Sequence, residues 1–178
     1  FKSGGFSNND AGPFNSEHVT AWEAGAKTRL LDNRMMLNLT VFQGEYDDLQ
    51  VSSFDPVSNL FTTTNAASAE NKGVEAEVQF AATSRLRLAL NASYLDAAYD
   101  DFRNSPCWAG QATLGRGCAP NAQGSQVQNL SGVVTPYAPE WSGTAAVDYT
   151  LPVGGSHNLS LGADVFYTGE FATLTDIN

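Results

Sequence analysis

Hydrophobic and polar residues alternate along much of the chain with a period of two. In the clearest window, residues 73–80, every even position is apolar and every odd position is glycine or a polar residue. This alternation predicts a β-strand with two different faces, because successive side chains of a strand point in opposite directions. Five other windows repeat the pattern, and the six predicted strands are residues 21–30, 35–41, 73–80, 86–94, 141–149 and 159–167.

The predicted strands are long. Each has about ten residues, whereas strands of soluble proteins most often have about five or six. About ten residues is also the length that a tilted strand needs to cross a bilayer. Aromatic side chains gather at the strand ends, as they do in the interfacial girdles of a membrane barrel. They are Trp22, Phe80, Tyr94, Trp141, Tyr149 and Tyr167.

Short and long connections alternate between the predicted strands. The short ones are residues 31–34, 81–85 and 152–156, and the long ones are roughly 47–71 and 96–139. Outer-membrane barrels have this asymmetry, with short periplasmic turns and long extracellular loops. About eight strands are the fewest that close a bacterial barrel. The six predicted strands therefore indicate that the chain is part of a larger barrel. The expected fold is therefore all-β, an antiparallel transmembrane β-barrel segment.

The composition changes this picture little. The chain has 178 residues, with nine Lys and Arg against 19 Asp and Glu, and a formal net charge of −10. Only 16% of the residues are charged, compared with about 25% in a soluble protein. The sequence has no basic stripe that would favour nucleic-acid binding. It also has no window of about 18 apolar residues that would predict a membrane helix. We expect contact with outer-membrane lipid and no nucleic-acid partner.

Cys107 and Cys118 both fall in the second long connection. Two cysteines in one loop of an export-compatible chain predict a disulfide. The alternatives are two free thiols or a metal-binding pair. No Cys-x-x-Cys is present and both histidines lie far away in the sequence, so a zinc site has little support.

Other chemistry is sparse in the sequence. His18 and His157 belong to no nucleophile or metal-ligand motif, so we expect no enzyme, no metal site and no cofactor. Acidic residues at the loop bases are ligands of the type that Ca²⁺ prefers, but they are equally typical of solvated loops: Asp47, Asp48, Asp96, Asp100 and Asp101. Loop aromatics either stack on a ligand or pack the loops together, and the sequence leaves this open for Phe54, Phe61, Tyr99, Phe102, Trp108 and Tyr137.

Several motifs resemble those of one protein family. The opening Phe1-Lys2-Ser3-Gly4-Gly5-Phe6 is similar to a loop segment of TonB-dependent outer-membrane receptors, and other stretches resemble their strands and loop entrances in the same order. These stretches are Trp22-Glu23-Ala24-Gly25-Ala26-Lys27, residues 41–50, Asn65-Ala66-Ala67-Ser68-Ala69 followed by Asn71-Lys72-Gly73-Val74-Glu75, and Ala138-Pro139-Glu140-Trp141. The resemblance covers nearly the whole chain.

The resemblance implies active import. Such receptors are typically 22-stranded barrels plugged by an N-terminal domain. They bind scarce ligands such as ferric siderophores or other metal chelates and receive energy through TonB in Gram-negative bacteria. Residues 1–178 then form an internal piece of the barrel domain, and the plug, its TonB box and the last strands are expected outside them.

The two faces of the strands have expected environments in such a barrel. The polar row expected to face the lumen is Glu23, Lys27, Arg29, Glu75, Glu77 and Arg87. It is either a wall for a passing substrate or a docked plug, or a set of ordinary cross-strand pairs, and the second interpretation is favoured because barrel interiors are polar by default. The residues expected to face lipid are Leu37, Leu39, Val74, Val78, Leu88, Leu90, Val147 and Leu161.

One alternative to the barrel is a secreted or surface β-sandwich, an adhesin-like binding module whose apolar faces pack against each other. It predicts a monomer that is soluble without detergent. A barrel hydrolase is the third class, and it lacks a recognisable set of Ser, His and acidic residues.

Overall fold

The structure, a computed structural model, describes residues 1–7, 12–55, 60–107, 111, 117–122 and 124–173. The side chains of Phe54 and Phe61 and the whole of Trp108 lie outside this described part. Eleven strands are present among the described residues: β1 Gly5–Phe6, β2 Pro13–Phe14, β3 His18–Leu30, β4 Met35–Asp55, β5 Leu60–Ala81, β6 Leu86–Asp101, β7 Ser105–Pro106, β8 Ala119–Pro120, β9 Gln126–Gln128, β10 Trp141–Gly154 and β11 His157–Thr168. The described segments include no helix that is long and apolar enough to span a membrane.

The six long strands form one antiparallel sheet in the order β11-β10-β6-β5-β4-β3. Each strand is hydrogen-bonded to the next long strand in the chain, so the sheet is a simple meander. The short strands β7, β9 and β8 form a separate three-stranded sheet within the connection between β6 and β10. The predicted all-β, antiparallel, six-stranded architecture is confirmed.

Strands β4 and β5 are nearly three times as long as the segments 35–41 and 73–80 that their alternation predicts. They have 21 and 22 residues, so the expected long loop 47–71 is mostly a hairpin. The register shifts between Tyr46 and Leu49, and Asp48 adopts a positive φ of 55°. This β-bulge interrupts the alternation while the backbone pairing continues, which explains why the sequence pattern ends too early. At about 3.3 Å per residue, each strand runs for about 70 Å, well beyond a hydrocarbon core of about 30 Å.

The three connections predicted to be short are tight turns at one end of the sheet. In the first turn, Leu31, Asp32 and Asn33 all have positive φ, between 54° and 65°. The amide of Arg34 closes that turn by donating to the carbonyl of Leu31 at 3.1 Å. In the second turn, the Thr83 hydroxyl accepts from the amides of residues 85 and 86. We call this side of the sheet the turn end and the opposite side the loop end.

The cross-strand register gives the sheet one apolar and one polar face. One row across five strands is apolar or small: Leu39, Ala76, Ala92, Gly143 and Tyr167. The next row, on the other face, is polar: Thr40, Glu75, Ser93, Ser142 and Thr168. Large side chains of the apolar face are exposed, with 48% of Leu90 and 53% of Leu161 accessible. The described chain therefore leaves its apolar face uncovered.

The buried hydrophobic cluster lies at the loop end. Phe102 and Leu130 are almost completely buried beside Ala67, and the amide of Leu130 donates to the carbonyl of Phe102 at 2.9 Å. The partly buried residues packed against them include Leu49, Val51, Tyr99 and Val133. The connection between β6 and β10 is therefore folded onto the extended strands.

Gly73 provides the first test of this sheet. A Cβ atom at this position would overlap the backbone carbonyl of Tyr94 and lie 2.7 Å from Cζ of Phe42, the residue directly across the strand pair. We expect Gly73→Ala to destabilise the protein by about 1–3 kcal/mol, because the backbone at Tyr94 or the ring of Phe42 must move to make room for the added methyl group. The measurement is the free energy of unfolding in urea.

Gly25→Ala is the matched control on the same face. Its Cβ would lie 3.3 Å from the Leu39 carbonyl and the Thr40 hydroxyl, so a small adjustment accommodates it. Equal stabilities of the two variants would contradict the proposed close approach at Gly73.

Candidate functional site

All six residues of the predicted lumen row lie on the polar face. Their register explains why they do not combine into ion pairs: Glu77 faces Asn38 and Asn91, and Glu75 faces Thr40 and Ser93. Within the described ranges, the ion pairs are Lys72–Glu70, Lys72–Asp96 and Arg103–Asp101. Among the described residues, no ion pair joins two members of this row, and the choice between its two expected roles stays a prediction.

Amide side chains bind Glu77 instead. Asn38 Nδ2 donates to Glu77 Oε2 at 2.6 Å, and Gln79 Nε2 donates to Oε1 at 2.8 Å. Glu75 and Glu77 line a cavity of about 470 Å³ over the middle of the polar face. Hydroxyl and amide groups supply much of the remaining lining, including Thr40, Asn91 and Ser93. This wall offers hydrogen-bond donors and acceptors and two carboxylates to whatever lies against it.

A second cavity lies at the turn end of the same face. It has a volume of about 490 Å³, and Arg29, Arg34 and Arg87 line it together with Gln79 and Asp148. The two cavities differ in charge, since the first is acidic and the second has three guanidinium groups and one carboxylate. The polar face therefore changes sign along the strand direction.

The eight residues predicted to face lipid all lie on the apolar face. On β6 this face runs from Leu86 to Tyr94, which is about 30 Å along the strand at about 3.3 Å per residue. With a tilt of about 40°, it spans about 23 Å, close to the apolar band of about 25 Å in outer-membrane barrels. The Tyr94 and Trp141 rings pack at 4.9 Å at the loop-end border.

Charged residues begin immediately beyond this border on the same face. Lys72 Nζ lies 3.3 Å from Glu70 Oε2 and 3.5 Å from Asp96 Oδ2. Gln43 Nε2 also donates to Glu70, at 2.5 Å. The change from aromatic to charged side chains within one row gives the apolar band a sharp edge.

The loop end contains the predicted disulfide, which joins Cys107 to Cys118. The bond connects the segments that carry β7 and β8, and β9 lies between them in the small sheet. The Cys107 amide donates to the carbonyl of Gln126 at 3.3 Å. Beneath it, the buried side chains of Gln111 and Gln128 are hydrogen-bonded at 2.7 Å. The loop is therefore held by covalent and polar contacts as well as by its apolar cluster.

The predicted loop carboxylates occupy different surroundings. Asp96 is paired with Lys72, and Asp101 is paired with Arg103 at 3.2 Å. Asp47 and Asp48 line an open cavity of about 680 Å³ together with Asp101 and Arg103. Within the described ranges, no group of three or more metal-ligating side chains is placed to hold an ion.

Two of the loop aromatics pack inside the loop. The Tyr99 and Phe102 rings lie 4.9 Å apart beside Leu130, and burial raises the pKa of the Tyr99 hydroxyl. Tyr137 is instead 70% exposed and contacts Phe171, with a ring separation of 6.2 Å. Of the three loop aromatics predicted from the sequence whose side chains are described, Tyr137 is the one with an exposed ring.

Comparison with known proteins assigns the family. Residues 2–178 match the family described as TonB dependent receptor-like, beta-barrel. The chain belongs to the TonB-dependent receptor family. The metal-pseudopaline receptor CntO of Pseudomonas aeruginosa is 28% identical over 172 residues, which are 97% of this chain and 20% of that receptor. The chain therefore spans about a fifth of the length of this relative.

Two solved receptors share the fold. The ferric yersiniabactin uptake receptor FyuA from Yersinia pestis has a TM-score of 0.63 at 15% identity, over 97% of this chain and 23% of FyuA. The siderophore receptor PiuA from Acinetobacter baumannii has a TM-score of 0.62 at 20% identity, over 90% of this chain and 20% of PiuA. At 15% and 20% identity, these two comparisons show that the chain shares the fold of the receptor barrel.

Sequence reasoning missed two features of this receptor segment. The buried pair Gln111–Gln128 carries no sequence signal, because two glutamines in a polar loop are typical of solvated residues. For Arg34, which lines the turn-end cavity, the sequence pattern predicts only a place in a turn. A signal was available, since Arg29, Arg34 and Arg87 all flank short turns that share one end of the sheet.

We expect removal of the disulfide to loosen the loop locally. Closure of a loop of about a dozen residues stabilises it by roughly 3 kcal/mol in the chain-entropy estimate. In a receptor carrying Cys107→Ser and Cys118→Ser, amide hydrogen exchange of residues 102–107 and 124–131 should therefore accelerate. The amides of β10 are the internal control and should exchange as before. Unchanged exchange in the loop would contradict a stabilising role for this bond.

Proposed function

We propose that this chain is part of an outer-membrane active-transport receptor that takes up scarce nutrients with energy delivered through TonB. The observation that carries the proposal is the separation of the sheet into an exposed apolar face and a polar face. A barrel closed from such strands presents the first face to lipid and the second to its lumen. In a barrel of the TonB-dependent receptor family, residues 1–178 form part of the wall.

The separation of faces argues against a β-sandwich. A sandwich buries its apolar face beneath a second sheet, whereas the six long strands here form one sheet whose apolar side chains remain exposed. The height of the apolar band and the aromatic residues at its border fit a bilayer instead. Localisation in the outer membrane of a Gram-negative bacterium follows from this proposal.

The proposed ligand is a metal chelate of the ferric siderophore type. Its support is the names of the relatives, which describe receptors for metal-pseudopaline, ferric yersiniabactin and a siderophore. The polar wall around Glu75 and Glu77 then lines the passage, and the folded loop lies at the ligand-facing end. A plug domain, a TonB-contacting segment and the remaining strands are assigned to the receptor polypeptide outside residues 1–178. The role of the chain is binding and passage, without catalysis.

Uptake of iron tests the proposed function. Cells that lack the receptor gene are compared with cells carrying the full-length gene, both supplied with radioactive ferric iron in medium conditioned by iron-starved cultures of the same strain. We expect accumulation to depend on the gene and to disappear in a strain without TonB. Equal accumulation with and without the gene would contradict ferric chelate uptake.

The lipid-facing assignment predicts that arginine is tolerated differently on the two faces of β6. Leu88→Arg places a charge on the apolar face and should cost about 2–4 kcal/mol near the bilayer midplane. Asn91→Arg, on the polar face of the same strand and opposite Glu77 in the register, should cost little. The measurement is the free energy of folding of the full-length receptor into lipid vesicles. Similar costs for both variants would reject the assignment of the faces.

A further inference from the structure

A short arm of the chain, which contains β1 and β2, lies against the loop end of the β4–β5 hairpin. Its described residues are 1–7 and 12–17, and the backbones of Lys2 and Glu17 exchange hydrogen bonds of 3.0 and 2.9 Å. Glu17 also contacts the hairpin, because its Oε2 atom accepts from the amide of Gln50 at 3.1 Å. We call this element the β1–β2 arm. It is a closed unit that is anchored to β4.

Asn65 on β5 joins the β1–β2 arm to the bulge of β4 through one side chain. Its Nδ2 atom donates to the carbonyl oxygen of Asp48 at 2.6 Å and to that of Asn15 at 3.1 Å. Its Oδ1 atom accepts from the amide of Asn15 at 2.6 Å. Asn65 therefore uses both donors and the acceptor of its amide, and it bonds to both the N–H and the C=O group of Asn15.

Gln50 attaches the same arm at a second place. It lies directly opposite Asn65 in the β4–β5 register. Its Nε2 atom donates to the carbonyl oxygen of Ser3 at 2.9 Å and to that of Asn15 at 3.1 Å. The carbonyl of Asn15 thus accepts from both amide side chains. We call Gln50 and Asn65 the amide clasp.

The hairpin is held from its two faces. Leu49 and Val51, on either side of Gln50, pack against the buried cluster of the folded loop between β6 and β10. Because successive side chains of a strand point to opposite faces, Gln50 points away from that cluster and towards the β1–β2 arm. The amide clasp therefore fixes the face of the hairpin that the folded loop leaves open.

The amide clasp also holds a residue in a conformation that few side chains adopt. Asp48 has a positive φ of 55° and lies at the register shift between Tyr46 and Leu49. A residue other than glycine keeps such a backbone conformation only where its surroundings determine it. The bond from Asn65 to the Asp48 carbonyl is such a contact, so this side chain stabilises the bulge.

The same residues form part of the wall of the loop-end cavity. Asp48 and Asn65 line it together with Asp47 on the bulge and Asp101 and Arg103 on the neighbouring chain. The positions of the two bulge carboxylates relative to Asp101 depend on how β4 passes through its register shift. A wall that is ordered before a ligand arrives binds more tightly, because the cost of ordering it is not incurred on binding.

We propose that Asn65 is a positioning residue of the receptor, which acts through the amide clasp to hold the β1–β2 arm and the Asp48 bulge in the arrangement that the ligand meets. The proposal rests on the proposed function, in which the loop end faces the incoming metal chelate. The clasp lies beyond the apolar band. Its removal therefore weakens binding of the chelate and leaves the wall of the passage intact.

Hydrogen exchange of the full-length receptor in outer-membrane vesicles tests the structural part of the proposal. Asn65→Leu keeps the approximate size of the side chain and removes its donors and acceptor. Amide exchange of residues 13–17 and 48–50 should accelerate, while β10 should exchange as before and show that the barrel is folded. Ser52→Ala is the matched control, because the Ser52 hydroxyl bonds to that of Thr63 within the same hairpin at 3.0 Å. Unchanged exchange in the arm, or equal acceleration in the control, would overturn the proposal.

The concentration dependence of uptake tests the functional part. Cells carrying each full-length receptor are supplied with a dilution series of radioactive ferric iron in medium conditioned by iron-starved cultures of the same strain, and rates are normalised to the receptor in the outer membrane. We expect Asn65→Leu and Gln50→Met to raise the half-saturating concentration several-fold, with the maximal rate unchanged and Ser52→Ala like the wild type.

An unchanged half-saturating concentration in Asn65→Leu would overturn the positioning role, and so would a fall in the maximal rate alone. Gene-dependent uptake by the wild-type receptor is measured in the same series. Its presence together with an unaltered Asn65→Leu receptor rejects the positioning role and leaves the proposed function standing. Its absence contradicts the proposed function and the positioning role with it, so the two failures are distinguishable.

Discussion

The continuous hydrogen-bonded ladder from β3 to β11 is the constraint on which the rest of the structure depends. Side chains alternate between two faces with a period of two, so a slip of one residue in any strand pair would move a whole row to the wrong face. The register avoids this across all six strands, with Leu39 and Ala76 in one row and Thr40 and Glu75 in the next. A single backbone arrangement thus separates the surfaces that we assign to lipid and to the lumen.

The two ends of the sheet differ in structure. The turn end is compact: the first turn uses three consecutive residues with positive φ, and it brings three arginines to one cavity. At the loop end the strands extend past the apolar band, and Phe102 and Leu130 build a small core under a disulfide-bonded loop. The hydrophobic core that a soluble domain places at its centre is found here at one edge of the sheet, and the apolar face of the sheet is left exposed.

Alternation predicted the transmembrane parts of the fold well because lipid and water select opposite residues on successive positions. It failed at residues 45–52, where side chains on both faces of the strand are exposed to water or packed against the loop, and where Glu45, Asp47 and Asp48 break the pattern. The disulfide was predictable because two cysteines in one exported loop have few other partners. The Gln111–Gln128 pair was not predictable, since it depends on how a long loop folds back.

The central claim is that the two faces of this sheet meet lipid and the lumen. Its most direct measurement is site-directed spin labelling of consecutive residues 86–94 of β6 in the full-length receptor reconstituted in vesicles, with collisions to oxygen and to a water-soluble nickel complex recorded at each position. The account predicts that labels at even positions collide preferentially with oxygen and labels at odd positions with the nickel complex. Uniform exposure to the nickel complex on both faces would contradict it.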